Sequence, residues 1–388
     1  MKNIPNSQKS FDFMNDKFDY NSFEPLKVYN RIKKQKWKDF PFKAQNWGIW
    51  LHHMGAYIGK IKPAMAHFLI RSCTKSNQVI LDPFCGIGTI PLEGDLLGRK
   101  VIGNDLNPYA FFISKAKFHR DSKEKILDRI DKLNLNTDKI SLDNCSDFML
   151  KFYHPDTLKE ILSAIKILKR KKDYFLLGCL LGIIHGHRPG HLSAVTSLVI
   201  PYLPRTDPIY KEVKPRLAAK VERMFKNDFS ERTGGIILNE NAKKLSLKNN
   251  SVDAVISSPP YFNTLDYSAD NKLRNEFLGI NELKRKKLKQ TLIQQNKTYI
   301  EEMLEVGLEI KRVLKKGAYC IFVLGDLHSG KKIINTAKEI SEAYKALGFI
   351  THGVIDDAMP VNKAIPSSHK RNKLDRILVM TNGKYKKI

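Results

Sequence analysis

Short apolar runs that end on polar or acidic residues alternate with longer stretches whose apolar positions recur every three or four residues. That alternation predicts strands and helices in turn, and hence an α/β fold around a parallel sheet. A helix is expected over Pro63–Cys73 (PAMAHFLIRSC), then a short strand over 77–82 (NQVILD). A loop punctuated by Gly86, Gly88 and Thr89 leads into a helix over 90–97, stopped at Gly98. A second strand, 100–105 (KVIGND), again ends on an acid. Further strands are expected at 235–239, Val252–Ser257, 319–324 and 377–380, with helices over 299–314 and 333–347 and a basic helical stretch at 284–289.

The character changes between 121 and 234. Lys, Asp and Leu recur at helical spacing there, with a basic cluster KILKRKK at 166–172 and the run HGHRPGH at 185–191, followed by LSAVTSLVIPYLPR. The expected organisation is an N-terminal arm over 1–50, irregular to about 45, and a sheet domain over 51–120 and 235–388. A mostly helical insert over 121–234 splits that domain. The longest apolar stretch, Tyr174–Ile184 (YFLLGCLLGII), is too short to span a bilayer and reads as a buried helix. No internal repeat is present, and no membrane association is expected.

Charge adds a partner class. The 388 residues carry 67 Lys and Arg against 40 Asp and Glu, a formal net charge of +27. A fold does not need that excess. It suits a polyanion, although a generally basic proteome would produce it too. The five cysteines (Cys73, Cys85, Cys145, Cys179, Cys320) are scattered and none form a CxxC pair. That argues against a disulfide framework and a zinc knuckle, and fits a reducing cytoplasm. The polar N-terminus has no apolar signal region.

The loop Asp82-Pro83-Phe84-Cys85-Gly86-Ile87-Gly88-Thr89 carries the first chemistry. Glycines between a strand and a helix let the backbone approach a ligand, and the helix start offers free N–H groups to an anion. A carboxylate at the mouth of the loop would repel a phosphate but suit an ammonium. A ligand with an amino-acid end satisfies both, its amine near Asp82 and its carboxylate near the loop amides. Adenosylmethionine has that end. Asp105 closes the next strand, where an acid can take both hydroxyls of a ribose.

DPFCGIGT resembles the cofactor motif of amino-methyltransferases acting on DNA, and VIGNDLNP (101–108) resembles that family's ribose motif. The resemblance implies a Rossmann-like fold and S-adenosyl-L-methionine as cofactor. It places Asp82, Pro83, Phe84, Gly86, Gly88, Thr89, Asp105 and Leu106 at the cofactor. Upstream, Tyr57, Lys60 and Pro63 in YIGKIKP resemble the segment that packs over the methionine end. Asn241 and Ala242 in NENAKKL resemble the adenine-contacting segment, with Asn241 where the family usually has Asp.

Ser257-Ser258-Pro259-Pro260-Tyr261 follows an apolar strand. Two prolines stiffen the backbone and leave carbonyls free to accept. Ser258 Oγ and the Pro259 carbonyl could accept the two protons of an exocyclic amine, turning its lone pair toward a methyl group. The Tyr261 ring could stack on an extruded base. The segment matches the family's [DNS]PP[YFW] motif in its Ser form, which the family associates with cytosine N4, whereas Asp or Asn goes with adenine N6. Cytosine C5 chemistry is disfavoured, because it needs a Pro-Cys loop. Phe262 to Tyr267 are expected to close over the base.

The order of motifs, with a long insert before the catalytic loop, resembles the group called alpha, whose insert carries target recognition. His187, Arg188, His191 and Arg205 are the candidate nucleic-acid contacts, and a polar turn explains the histidines equally well. No metal is expected, since no acid or Cys stands near these histidines. DNA is the expected substrate. Cytosine N4 is the favoured target, and the alternatives are adenine N6 in DNA, a base in RNA, or a nucleic-acid-binding protein with a vestigial loop. A cognate restriction endonuclease is a candidate partner, and one chain holding every motif implies a monomer.

Overall fold

The computed structural model describes residues 20, 22–44, 47–196, 202–226, 233–260, 269, 271–293, 298–329, 332–358 and 374–385. Its strands are β1 (Val79–Asp82), β2 (Lys100–Asn104), β3 (Gly235–Leu238), β4 (Val252–Ser257), β5 (Leu314–Gly325), the short hairpin β6 (Leu327–Ser329) and β7 (Lys332–Ile334), β8 (Ile350–Ala358) and β9 (Leu374–Thr381). Seven of them form one sheet in the order β3-β2-β1-β4-β5-β9-β8. β1 to β5 pair in parallel, and β9 runs antiparallel to both its neighbours. The expected Rossmann-like α/β sheet is therefore present. β1 is paired on both edges and covered on both faces, which is why its sequence is a plain apolar run.

The order of pairing matters more than the count. From β1 the chain steps outward one way to β2 and β3, then returns to the other side of β1 for β4 and β5. The switch lies between β1 and β4, and ligands of open α/β sheets bind at the carboxyl ends of such a pair.

One face of the sheet, with Leu81, Val255, Cys320 and Phe322, packs on helices Tyr299–Val313 and Thr336–Ala346. The opposite face, with Ile80, Ile256, Ile321 and Val379, packs on α2 (Pro63–Cys73) and the N-terminal segment. Residues 25–33 were expected to be irregular, yet α1 (Pro25–Lys33) is a regular helix. Pro25 sits at its first turn, and Val28, Arg31 and Ile32 point inward on one face. Arg31 Nη2 donates to the Ser72 carbonyl at 2.6 Å, which fastens α1 to the end of α2.

Two more boundaries differ. β8 was missed, because as an edge strand it buries only Ile355 and Asp357 and shows no clean alternation. The last helix begins at Thr336 rather than 333, since Lys332–Ile334 turn back against β6.

After β1 come α3 (Thr89–Leu96) and α4 (Pro108–Ala116). The insert follows as α5 (Lys123–Asp131), α6 (Asp147–Leu150), α7 (Pro155–Lys171), α8 (Tyr174–Ile184) and α9 (Val213–Met224). α8 is buried along nearly its whole length. Its Gly182 lies so close to the Met54 carbonyl that a Cβ would collide with it. The insert shares one apolar core with Leu51, Met54, Tyr109 and Ile113, all outside it. Where the chain returns to the sheet, Asp95 Oδ1 accepts from the amides of Thr233 and Gly234, both at 2.8 Å. Among the described residues no helix is long and apolar enough to cross a membrane.

Candidate active site

The carboxyl ends of β1, β2 and β4 open into one cleft with about 830 Å³ of space, open to solvent on one side. β1 delivers Asp82, which is 3% exposed. Its Oδ1 accepts from Ser257 Oγ at 2.6 Å and from the Phe84 amide at 3.2 Å. Burial pushes the Asp82 carboxyl up to about 7; these two hydrogen bonds work against the rise, and the nearby Asp105 charge adds to it. β2 delivers Asp105, whose two oxygens accept from the amides of Gly86 and Asn107, both at 2.8 Å. Burial lifts this carboxyl to about 6 against those bonds. Neither carboxylate forms an ion pair among the described residues. Two desolvated acids with no paired cation among the described residues, beside the apolar walls of Phe84, Ile61, Ala242 and Ile293, suit a ligand that brings positive charge and hydroxyl donors.

The glycine loop is held open by backbone geometry. Gly86 and Gly88 have φ of 51° and 74°, and a Cβ on Gly88 would strike Ser114. Gly88 forms the turn into α3 and does not line the cleft. Tyr57 covers Gly86, with a ring carbon 3.2 Å from where a Cβ would sit. Lys60 borders the cleft and donates to the His52 carbonyl at 3.0 Å.

Most of the expected cofactor residues converge here: Tyr57, Lys60, Asp82, Pro83, Phe84, Gly86, Thr89, Asp105, Leu106, Asn241 and Ala242. Pro63 is the exception besides Gly88. It opens α2 at its first turn, away from the cleft wall, where a fixed φ and a missing N–H suit a helix start. Asn241 Oδ1 already accepts from the Lys243 amide at 3.0 Å, so its side chain shapes the turn as well as lining the wall.

Of the catalytic segment, Ser258 and Pro260 face the cleft, and Pro259 is buried behind them. Ser258 Oγ donates to the Val323 carbonyl at 3.2 Å. With its proton committed to β5, the Ser258 oxygen is left as an acceptor. The Pro260 carbonyl takes the Tyr299 hydroxyl at 3.1 Å, which anchors the loop to a helix. Tyr261 and the segment 262–267 lie outside the described residues.

Sequence reasoning missed four contributors. Ser257 was passed over for its neighbour Ser258, although the doubled serine in SSPPY was visible. Asn104 ties the loops together: its Nδ2 donates to the carbonyls of Pro83 and Glu240, both at 3.1 Å, and its Oδ1 accepts from the Glu240 amide at 2.9 Å. Leu292 and Ile293 reach the cleft from a distant basic stretch and left no signal.

Away from the cleft, His187, Arg188 and His191 border a second cavity and Arg205 does not. Arg205 is exposed, its amide bonded to the Ala194 carbonyl. His187 Nδ1 meets the Tyr202 hydroxyl at 3.1 Å, and His191 packs against Gly186.

Residues 6–116 match the N6/N4 methyltransferase family described as DNA methylase. The resemblance to amino-methyltransferases acting on DNA holds. The matched part of the chain contains the glycine loop 82–89 and ends before the SSPPY segment. The type II methyltransferase M.MjaII of Methanocaldococcus jannaschii is 21% identical over 75% of this chain and 74% of its own length. The tRNA (guanine(10)-N2)-dimethyltransferase of Methanothermobacter thermautotrophicus is 40% identical over 52 residues, 13% of this chain, which spans only 16% of that enzyme. A solved structure of a candidate DNA modification methylase from Thermus thermophilus is 19% identical over 38% of this chain, with a TM-score of 0.25; the chain spans 55% of that protein.

Proposed function

We propose that the protein methylates an exocyclic amine of a base in DNA at a defined site, with S-adenosyl-L-methionine as donor and cytosine N4 as the target. Asp82 takes the ammonium of the donor, Asp105 the ribose hydroxyls, and the Tyr57–Lys60 segment its methionine end. When bound there, the donor supplies a methyl group on a positively charged sulfur that leaves readily.

The observation that carries the reading is the placement of Ser258. Its hydroxyl proton is turned to Val323, and its oxygen lies in the wall of the cleft that holds both acids. An acceptor there can take one proton of a base amine and orient the nitrogen lone pair. The Pro259 carbonyl is assigned the second proton and the Tyr261 ring the face of an extruded base. No side chain has to remove a proton before attack, because the product amine loses it afterwards. Orientation is the main contribution of the chain. The Ser form of the motif is what favours cytosine over adenine.

The surroundings support the same reading. A net charge of +27 suits a polyanion. His187, Arg188, His191 and Arg205 in the insert are assigned to target recognition. Five free thiols suit a reducing cytoplasm. The enzyme is taken to work as a monomer, with a restriction endonuclease as its candidate partner.

The test is transfer of labelled methyl groups to plasmid DNA and, separately, to total RNA, followed by nucleoside digestion and mass spectrometry. N4-methylcytosine from DNA is the expected product. N6-methyladenine would overturn the base assignment. Label in RNA alone would favour the reading to which the short likeness to a tRNA dimethyltransferase points.

A further inference from the structure

The second cavity offers about 880 Å³ of empty space between the HGHRPGH loop, α9 and the segment 50–60. Four cationic side chains border it: Lys60, Arg188, Lys220 and Arg223. Among the described residues no Asp or Glu lines it, and none of the four forms an ion pair. Such a gathering of like charge is unfavourable without an anion. Lys220 makes the point most clearly. It is 5% exposed, with its ammonium donating to the His53 carbonyl at 3.0 Å. Burial, together with Arg223, Arg188 and Lys60, draws that ammonium down to about 8.

Neutral donors stand around the same space. His53 Nε2 and His185 Nδ1 are buried and have no hydrogen-bond partner among the described residues. Burial, then neighbouring cations, holds these imidazoles at about 4 and 3, so both are uncharged at neutral pH. The loop itself is fixed. Lys211 Nζ binds the carbonyls of His191 and Ser193 at 3.1 and 2.6 Å, and Arg274 Nη2 binds that of His185 at 2.8 Å. Both ends of the loop are thereby held by their carbonyls, and the exposed Arg188 lies between them on the cavity wall.

Lys60 borders this cavity and the cofactor cleft alike. We propose that the cavity is a phosphate pocket, in which Arg188, Lys220 and Arg223 seat one backbone phosphate of the strand whose base enters the cleft. The pocket combines insert and sheet domain in one anion site and fixes the distance between a gripped phosphate and the reacting amine. This inference rests on the reading that the substrate is a nucleic acid.

The experiment measures binding of a fluorescein-labelled oligodeoxynucleotide to the full chain across a salt series, beside calorimetric binding of S-adenosylmethionine. Arg188→Ala and Arg223→Ala are each expected to weaken the oligonucleotide about tenfold and to lower the slope of log K against log salt by about one. Donor affinity should stay within twofold. Lys220→Met is a further variant for the buried position, assessed only if its circular dichroism matches the wild type. In wild type, replacing backbone phosphates one at a time by neutral methylphosphonate should reveal one sensitive position near the target base. That position should have no further effect in the Arg188→Ala/Arg223→Ala variant. Unchanged affinity and salt slope in both single variants would overturn the pocket while leaving the methyl-transfer reading intact, as labelled product from DNA would show. Saturation by inorganic phosphate without a methylphosphonate-sensitive position would assign the cavity to a free phosphate compound and overturn the backbone assignment. Failure of wild type both to bind the oligonucleotide and to label DNA or RNA would overturn the pocket together with the nucleic-acid reading.

Discussion

Ser257 Oγ donates a 2.6 Å hydrogen bond to Asp82 Oδ1. The two residues end adjacent parallel strands, β4 and β1, so one bond joins the loop assigned to the base with the loop assigned to the donor. Neither loop can shift alone without breaking it. Ser257→Ala is therefore expected to weaken S-adenosylmethionine by about ten- to a hundredfold, in line with about 1.5–3 kcal/mol for a hydrogen bond to a charged group. Titration calorimetry on a variant with unchanged circular dichroism measures it, and an unchanged affinity would remove the bond from the binding account.

The raised carboxyls make donor binding depend on pH. Asp82 at about 7 and Asp105 at about 6 are partly protonated in the free protein at neutral pH. A cationic ligand prefers them ionised, so affinity should rise as pH increases from about 5.5 to about 7.5 and fall again once the donor's α-amino group loses its proton at about 8. Ser257→Ala removes a bond that holds Asp82 down and should move the upper part of that curve to higher pH. A flat profile would contradict the placement of the donor's ammonium at Asp82.

Folding stability carries the opposite sign. Between about 3.8 and about 7 the folded chain binds a proton at Asp82 that the unfolded chain has lost. The Asp82 contribution is thus fully present below the lower value and disappears as pH rises through the upper one. Buried histidines titrate within the same range, so the comparison to make is wild type against Asp82→Asn. Urea midpoints of the ligand-free proteins should diverge with rising pH, wild type losing ground to the variant until about pH 7.

Ser258→Ala is expected to leave donor affinity within about twofold and to lower the rate of methyl transfer by about 10²–10³, the scale of removing one preorganised polar contact to a reacting group. Single-turnover transfer with saturating donor separates the two effects. A variant that keeps its rate would take Ser258 out of the chemistry.

Gly88→Ala tests the loop itself. With φ at 74° and Ser114 in the way of a Cβ, the substitution should cost about 1–3 kcal/mol and displace the turn before α3. A lowered thermal midpoint together with weaker donor binding is the expected result, whereas an unaltered midpoint would mean that the turn tolerates a side chain.

Where local pattern and tertiary role agreed, the sequence was readable. β1, β2 and β4 are buried on both faces, so their apolar runs ended on the residues that matter, Asp82, Asp105 and Ser257 or Ser258. Pro63 and Gly98 marked the termini of α2 and the 90–97 helix to within a residue or so. What could not be read depends on contacts across long separations. The α1 stripe of Val28 and Ile32 is too short to stand out until α2 and the sheet cover it. Ser257 looks like a spare copy of Ser258 until β4 lies beside β1. Lys220 and Arg223 sit in an ordinary amphipathic helix, and only the fold brings them to the HGHRPGH loop. The same holds for Pro63, whose motif position suggested ligand contact and whose backbone role is the opening of a helix.

The insert shares its apolar interior with Met54, Tyr109 and Ile113, and α8 presses on the Met54 carbonyl at Gly182. Residues 123–224 are therefore not a cassette. Deleting them would expose one side of α4 together with Met54, Tyr109 and Ile113. On the proposed reading, a change of target preference would come from exchange of side chains in the loops at 185–191 and 202–210 rather than from trading the whole insert.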